Sequence, residues 1–346
     1  MVRLYLVCLA CRLGECRADS LLGLADRLSR RLQTLLCWVS VDLSFSKTSD
    51  YLFEFLGVWV SDETIRKFCL HHGIKAAETR PGDHPRVSQE FREARGEVEF
   101  HVDAAKVNTV DQGWRDVKAA VFLKRPLGEG CDPFDPKAME ERTLPEPEAT
   151  VSFAAMASID DFQQSWEPWQ VELGVCDSGA IDVHGDGAEW IWNAATKEFP
   201  EAEQALDPYH GFEHIGAAAK AIHGEGTAAF EQAFARGRQL LLSGGWKGLC
   251  DWVGEQWEAA QKKGCGEAID DMLNYFKKHA GRLDYARRIR EGRGLGSGAV
   301  EGMCKTLGLR LKARSARWLS KHVNPMAALI TLKANGGWDT YFHRAA

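Results

Sequence analysis

The stretch EVEFHVDAAKVNTV (97–110) decides how the chain is read. Val98, Phe100 and Val102 alternate with Glu99 and His101, the period of a half-buried strand, and Asp103 is expected at that strand's end. Beyond the turn-like VNTVDQG (107–113), Val117, Ala119, Val121 and Leu123 alternate again and predict a second strand. TVSFAAM (150–156) predicts a third, followed by a helix over about 159–172. AIDVHGDG (180–187) predicts a short buried strand running into a glycine turn at Asp186. EWIWNAATKEF (189–199) predicts a helix, and Ala205–Leu206 a last short strand.

Outward from this α/β centre, the periodicity becomes helical. Residues 1–20 contain Cys8, Cys11 and Cys16. In 21–73, Leu24, Leu28, Leu32, Leu35, Val39 and Leu43 approximate one helix stripe. GVWVSDETIRKFCLHHG (57–73) predicts a helix capped by Ser61, with Asp62 and Glu63 in its first turn, Ile65, Phe68 and Cys69 facing inward, and Gly73 as its stop. Such a unit suits a helix-turn-helix DNA reader or a plain bundle. Residues 74–96 are polar and read as a linker, and the acidic, proline-containing 126–148 as a loop. Residues 211–290 read as wholly helical, broken at Gly224, Gly226, Gly244, Gly245, Gly264 and Gly281. That is too long for a connection within a compact domain and is expected to be an insertion between core segments 97–210 and 291–346.

The composition bounds the function. The chain has 346 residues, 45% apolar and 27% charged, with a net charge of −6. That is an ordinary globular make-up with room for two or three domains. No apolar run approaches a membrane span, and the opening MVRLYLVCLACRLGEC is too interrupted for a signal peptide, so a cytoplasmic location is expected. The ten cysteines are mostly isolated and read as reduced. Cys8-x-x-Cys11 offers two thiolates at zinc-ligand spacing, but no second pair completes a tetrahedral site. The bases gather at 282–321, where Arg282, Arg287, Arg288, Arg290, Arg293, Lys305, Arg310, Lys312, Arg314, Arg317 and Lys321 face only three acids. That stripe predicts a phosphate partner, with Lys305, Arg310, Lys312, Arg314 and Arg317 as DNA contacts.

Three carboxylates carry the chemistry: Asp103, Asp186 and Glu301, the last opening a helix after the glycine-rich GLGSGAVEG (294–302). Three strands, a helix, then strand–helix–strand is the order of a ribonuclease-H-like α/β fold, in which such residues meet at one sheet edge. Cleaving or joining a phosphodiester needs an activated oxygen nucleophile and a stabilised leaving oxygen, and two divalent ions ~4 Å apart supply both. Such ions prefer carboxylate oxygens. The glycines beside Asp186 and before Glu301 are expected to let metal or DNA approach closely. Singly, each acid also fits a bland role: Asp103 a solvated turn residue, Glu301 a first-turn acid favoured by the helix dipole.

Five blocks in this order resemble bacterial insertion-sequence DDE transposases, most closely the ISKra-type family. They are VDAAKVNTVDQGWRDVKAAVFLKR (102–125), VHGDGAEWIW (183–192), LDPYHGFEHI (206–215), LGSGAVEGMCKTLGLRLK (295–312) and RWLSKHVNPMAALITLKANGGWDTYF (317–342). The resemblance covers roughly Cys8 to the C-terminus. It implies a ribonuclease-H-like core in which Asp103, Asp186 and Glu301 hold two Mg²⁺ or Mn²⁺ ions. The implied reaction is hydrolysis at transposon ends followed by attack of the freed 3′-hydroxyl on target DNA, by a dimer or larger assembly on double-stranded inverted repeats. Asp207-Pro-Tyr-His210 is similar to the Asp-x-x-His signature of Mutator-like transposases, which implies a catalytic-support or wall-positioning role for His210. His214, one turn on, adds a second ring. Trp190, Trp192 and Trp246 suit base stacking or core packing. RLYLVCLACRLGECRADSLLGL (3–24) is similar only to the second knuckle of the family's zinc ribbon, so the ribbon reads as defunct.

Two other classes compete. A non-catalytic DNA-binding remnant would occupy inverted repeats without cutting. A structure-selective nuclease on the same fold would cut without strand transfer.

Overall fold

The computed structural model describes residues 28–79, 81–177, 181–314 and 316–344, and before them only short pieces such as Leu6–Val7 paired with Gly14–Glu15. Cys8, Cys11 and Cys16, and with them the zinc-knuckle expectation, lie outside the described residues.

Five strands form one mixed sheet: β1 (Glu97–Thr109), β2 (Gly113–Arg125), β3 (Ala149–Ala155), β4 (Ile181–Gly185) and β5 (Glu203–Leu206). The spatial order is β3-β2-β1-β4-β5, with β1–β2 and β2–β3 antiparallel and β1–β4 and β4–β5 parallel. All five strands fall where the alternation predicts them. One detail differs. Asp103 does not end its strand: β1 continues to Thr109 against β2, and it is the ladder with β4 that stops, at Val102–Gly185. Asp103 therefore stands where β1 loses its neighbour on one side.

The strand period sorts residues onto two faces. Val98, Phe100, Val102, Phe122 and Val183 join Phe162, Trp166, Trp192 and the helices of 208–290 in one hydrophobic core. On the opposite face, Val107, Val117, Ala119, Val121 and Leu123 join a second core with N- and C-terminal helices. There β1 and β4 present Glu99, His101, Asp182 and His184, all buried.

Helices α1 (Arg30–Ser40), α2 (Phe45–Leu56) and α3 (Asp62–Glu78) are each capped by a serine: Ser29, Ser44 and Ser61. The leucine stripe overreaches at its start, because Leu24–Ala25 pairs with Leu28–Ser29 in a short ladder and α1 begins only at Arg30. The expected stop at Gly73 is also overturned: α3 runs on to Glu78, and Gly73 is where α14 (Ser320–Ala334) crosses. A Cβ at Gly73 would lie 2.3 Å from the Pro325 carbonyl oxygen, so this glycine permits contact between helices and does not end one. Residues read as a linker contain α4 (Pro85–Glu93), whose Val87, Ser88 and Phe91 are buried. The 126–148 loop contains α5 (Pro136–Glu141). The helix expected after β3 is two, α6 (Ile159–Gln164) and α7 (Trp166–Leu173), parted at Ser165. Between β4 and β5 lies α8 (Glu189–Glu198).

The helical segment comprises α9 (Pro208–His223), α10 (Ala228–Lys263), α11 (Gly266–Lys277) and α12 (Tyr285–Arg290). α10 breaks at Gly245 (φ 55°) and folds back on itself: Arg236 pairs with Glu255 at 2.8 Å, and Trp252 Nε1 donates to the Ala233 carbonyl at 2.8 Å. The chain returns through α13 (Gly298–Leu311), α14 and α15 (Trp338–Arg344). Two asparagines, Asn324 of α14 and its C-cap Asn335, pair with the main chain of one residue on β3 and one just beyond it. Asn335 Oδ1 accepts from Ser152 N and its Nδ2 donates to Ser152 O, both at 2.8 Å; Asn324 does the same for Met156. No described helix is long and apolar enough to cross a membrane.

Candidate metal centre

The sheet register brings chemistry residues together in rungs on the α13 side. Glu99 is paired in register with Asp182, and His101 with His184. One step further, where the ladder opens, come Asp103 and Asp186. Asp186 Oδ1 accepts from Ala188 N at 2.8 Å, an Asx turn that leads into α8. Asp103 Oδ1 accepts from its neighbour Ala104 N at 2.6 Å. Burial pushes the Asp103 carboxyl up, and the charge of Asp186 adds to the rise.

Glu301 enters from α13 and is exposed. Its Oε1 accepts from Ser297 Oγ at 2.9 Å. Its nearest ligand-type neighbours are Asp207 and His210, with one donor atom from each of the three within 4.8 Å of the others. Cys304, one turn after Glu301, hydrogen-bonds the Asp103 carboxylate, and burial raises its thiol pKa. Asp103 and Asp186 are close enough for their charges to interact, while Glu301 groups with Asp207 and His210; the three predicted acids do not themselves form one of the described groups whose donor atoms all lie within 4.8 Å of one another. Among the described residues none of the three has a lysine or arginine partner.

Asp207 organises the wall of this site. It is fully buried and caps α9, accepting from Tyr209 N (2.7 Å) and His210 N (3.2 Å) on Oδ1. Its Oδ2 accepts from Ser297 N (2.6 Å) and Ser297 Oγ (2.9 Å), which fixes the loop before α13. Burial pushes its carboxyl up, but the His210 ring and the Ser297 donors outweigh this and hold it at about 2. His210 lies 3.5 Å from Asp207 Oδ1, an ion pair that raises its pKa to about 9, against burial and with help from Asp186. His214 instead stacks on Tyr275 at 3.8 Å and is pushed down by burial, so it serves the wall.

Of the glycines expected to admit metal or DNA, Gly298 before Glu301 has nothing within 4 Å of a Cβ placed on it, but others face protein. A Cβ at Gly187 would meet the Tyr275 ring at 2.4 Å, and one at Gly296 would meet Asp207 Oδ2 at 2.8 Å. Both glycines let the wall close on the carboxylates.

The basic stripe breaks up in space. Arg310 is 3% exposed, donates to the Ser40 carbonyl at 2.7 Å and lies over the Phe45 and Trp318 rings, its pKa lowered to about 10 by burial; it cannot contact DNA. Arg287 and Arg293 are bound to Glu203, Glu291 and other acids, and Arg282 covers Trp192. Lys305, Lys312, Arg314 and Arg317 remain exposed. Lys305 and Lys312, with Lys106 opposite, line a groove floored by Ala104, Ala105 and Gly308 and running to Cys304. Trp192 is core, and Trp190 and Trp246 pack against it.

Below the open rung, Glu99, His101 and His184 form a second group of close donor atoms, wholly buried. Burial acts upward on Glu99, but the His101 hydrogen bond (2.9 Å) and the neighbouring His184 and Arg125 hold it at about 2. Asp182, read from sequence as a plain strand residue, pairs with Arg288, lies 3.3 Å from His184 Nε2 and is likewise held well below the usual carboxylate range. Sequence reasoning noted Asp207 only as the start of the Asp-Pro-Tyr-His motif and Arg288 only as one base of the stripe, and it missed Ser297 and Cys304 as parts of this architecture. The capping role of Asp207 had a local signal of its own, because Asp-Pro before a helical run marks an N-cap.

No protein-family model matches the chain, and no curated protein is significantly similar to it.

Proposed function

We propose that the chain is a DDE transposase with a ribonuclease-H-like core, cutting DNA at the ends of a mobile element and joining the 3′ ends to target DNA. The observation that carries the reading is the uncompensated charge at the sheet edge. Among the described residues Asp103, Asp186 and Glu301 have no lysine or arginine partner, and the His210 imidazolium near them is already paired with Asp207, whereas the buried acids beneath are paired with arginine. The sheet order β3-β2-β1-β4-β5, with three antiparallel strands followed by two parallel ones, also supports it.

The donors fit hard divalent cations: three carboxylates, one of them held high in pKa by burial and a neighbouring charge. Asp103, Asp186 and Glu301 would hold Mg²⁺ or Mn²⁺. When bound, such ions activate the attacking oxygen and stabilise the leaving one. The protein's own part is positional. Asp207 fixes both α9 and the loop that carries Glu301. The His210 imidazolium, cationic at neutral pH, places a positive charge beside the carboxylates where a phosphate would sit. Lys106, Lys305 and Lys312 give the backbone an electrostatic track leading from the site.

The test is an assay of cleavage and strand transfer with Mg²⁺ or Mn²⁺, on duplexes taken from the DNA flanking the coding sequence. Wild type is compared with Asp103→Ala, Asp186→Ala and Glu301→Ala. Cutting by wild type alone supports the reading. Equal binding by all four with no cutting by any would leave a DNA-binding remnant, and cutting without joining would leave a nuclease.

A further inference from the structure

One buried side chain ties the helical insertion to both halves of the candidate centre. Arg288, on α12, is 2% exposed. Its Nη2 donates to Asp182 Oδ2 and, at 3.1 Å, to His184 Nε2. Its Nε donates to the Gly294 carbonyl at 2.9 Å. Asp182 and His184 lie four and two residues before Asp186 on β4, and Gly294 lies seven before Glu301. The same loop presses on the buried rung, since a Cβ at Gly294 would stand 3.2 Å from Glu99 Oε1. The guanidinium is planar, so Nε and Nη2 hold the strand and the loop at a fixed separation, which a lysine ammonium does not reproduce. Glu99, His101 and His184 have the donor types of a metal site, yet Arg288 already donates into His184 and Arg125 into Glu99. Two guanidinium groups thus stand where a cation would.

We propose that Arg288 is a positioning residue that sets the separation of Asp186 from Glu301, and through it the affinity of the open rung for divalent ions. This rests on the reading of Asp103, Asp186 and Glu301 as metal ligands. Arg288 touches neither metal nor DNA. It converts the docking of α12 onto β4 into the placement of a carboxylate on a different segment, as the residues behind metal ligands do.

The test uses the full chain, with Arg288→Lys and Asp182→Asn as variants and Mn²⁺ as the probe. Mn²⁺ binding is followed by calorimetry or electron paramagnetic resonance, and cooperative unfolding confirms that each variant is folded. For Arg288→Lys the expected result is Mn²⁺ binding weaker by roughly 10–100-fold. A smaller loss in the same direction is expected for Asp182→Asn. In the cleavage assay kcat falls, KM for DNA stays constant, and raised Mn²⁺ restores part of the rate. A purely structural role would lower the unfolding midpoint and leave Mn²⁺ affinity alone, and that result overturns the proposal. If Arg288→Lys does not fold, Asp182→Asn decides by the same criterion. A wild type that binds no Mn²⁺ brings down the metal-site reading and this proposal together. A wild type that binds it, beside folded variants that bind it equally, brings down the positioning role alone.

Discussion

One face of the sheet holds two kinds of carboxylate only a few residues apart. At the buried rung, Glu99 has Arg125 at 3.0 Å, Asp182 has Arg288, and both carboxyls are held low. At the open rung, Asp103 and Asp186 have backbone donors but no lysine or arginine partner among the described residues, and Asp103 is pushed up. The two rungs share strands, register and side-chain type. What separates them is whether the fold supplies the counter-charge. A buried acid must be neutralised by the protein or the fold is lost. An acid at a sheet edge can wait for a cation from solution.

The contrast can be broken at either rung. The largest effect is expected at the buried one. Asp182→Ala leaves buried Arg288 with only Glu203, 3.6 Å from its Nη1, as a carboxylate partner, and urea unfolding should show a loss of up to about 3–5 kcal/mol. A loss below about 1 kcal/mol would mean that the rung is wet and the contrast false. At the open rung the reverse is expected. Asp186→Asn should leave the unfolding midpoint unchanged or raised, while the rate of cleavage falls ~10²–10³-fold or more.

A histidine buried without a carboxylate sharpens the rule. His72, between Gln33 and Tyr341, is pushed down by burial from 6.5 to about 4. The unfolded chain then takes the proton first, so its contribution is complete above about pH 6.5 and is lost as the pH falls towards 4. Between pH 7 and 4, His72→Gln should flatten the fall in stability by at most about 3 kcal/mol. A pH profile identical to wild type would show that His72 is not the group being titrated.

The smallest effects belong to charges that face water. Lys305→Ala and Lys312→Ala should change stability by less than about 0.5 kcal/mol. Each should lower the salt slope of DNA binding by about 1. Arg310→Ala should do the opposite, destabilising the fold and leaving that slope unchanged.

The strands were legible because period-two alternation is a local signal, and it located Asp103 and Asp186 in their settings. Glu301 was legible from its place after GLGSG. The rest depends on contacts remote in sequence. Gly73 reads as a helix stop until Pro325 is seen against it. Residues 85–93 are too polar to announce a helix, because only Val87, Ser88 and Phe91 are buried. Arg310 sits among other bases in sequence, but the helix turns it inward onto Phe45 and Trp318 while Lys305 and Lys312 turn out. Asp207 and Arg288 act on residues 90 and 106 positions away, and no local pattern encodes that.

The asparagine pair on β3 has a consequence for how copies of this chain can coexist. A strand at the border of a sheet is ordinarily an invitation to another molecule's strand. Here Asn335 and Asn324 answer the main-chain groups of Ser152 and Met156 from within the same chain. At these two residues, a strand from another copy would find the main-chain groups already taken, so this border of the sheet is a poorer template for pairing between copies.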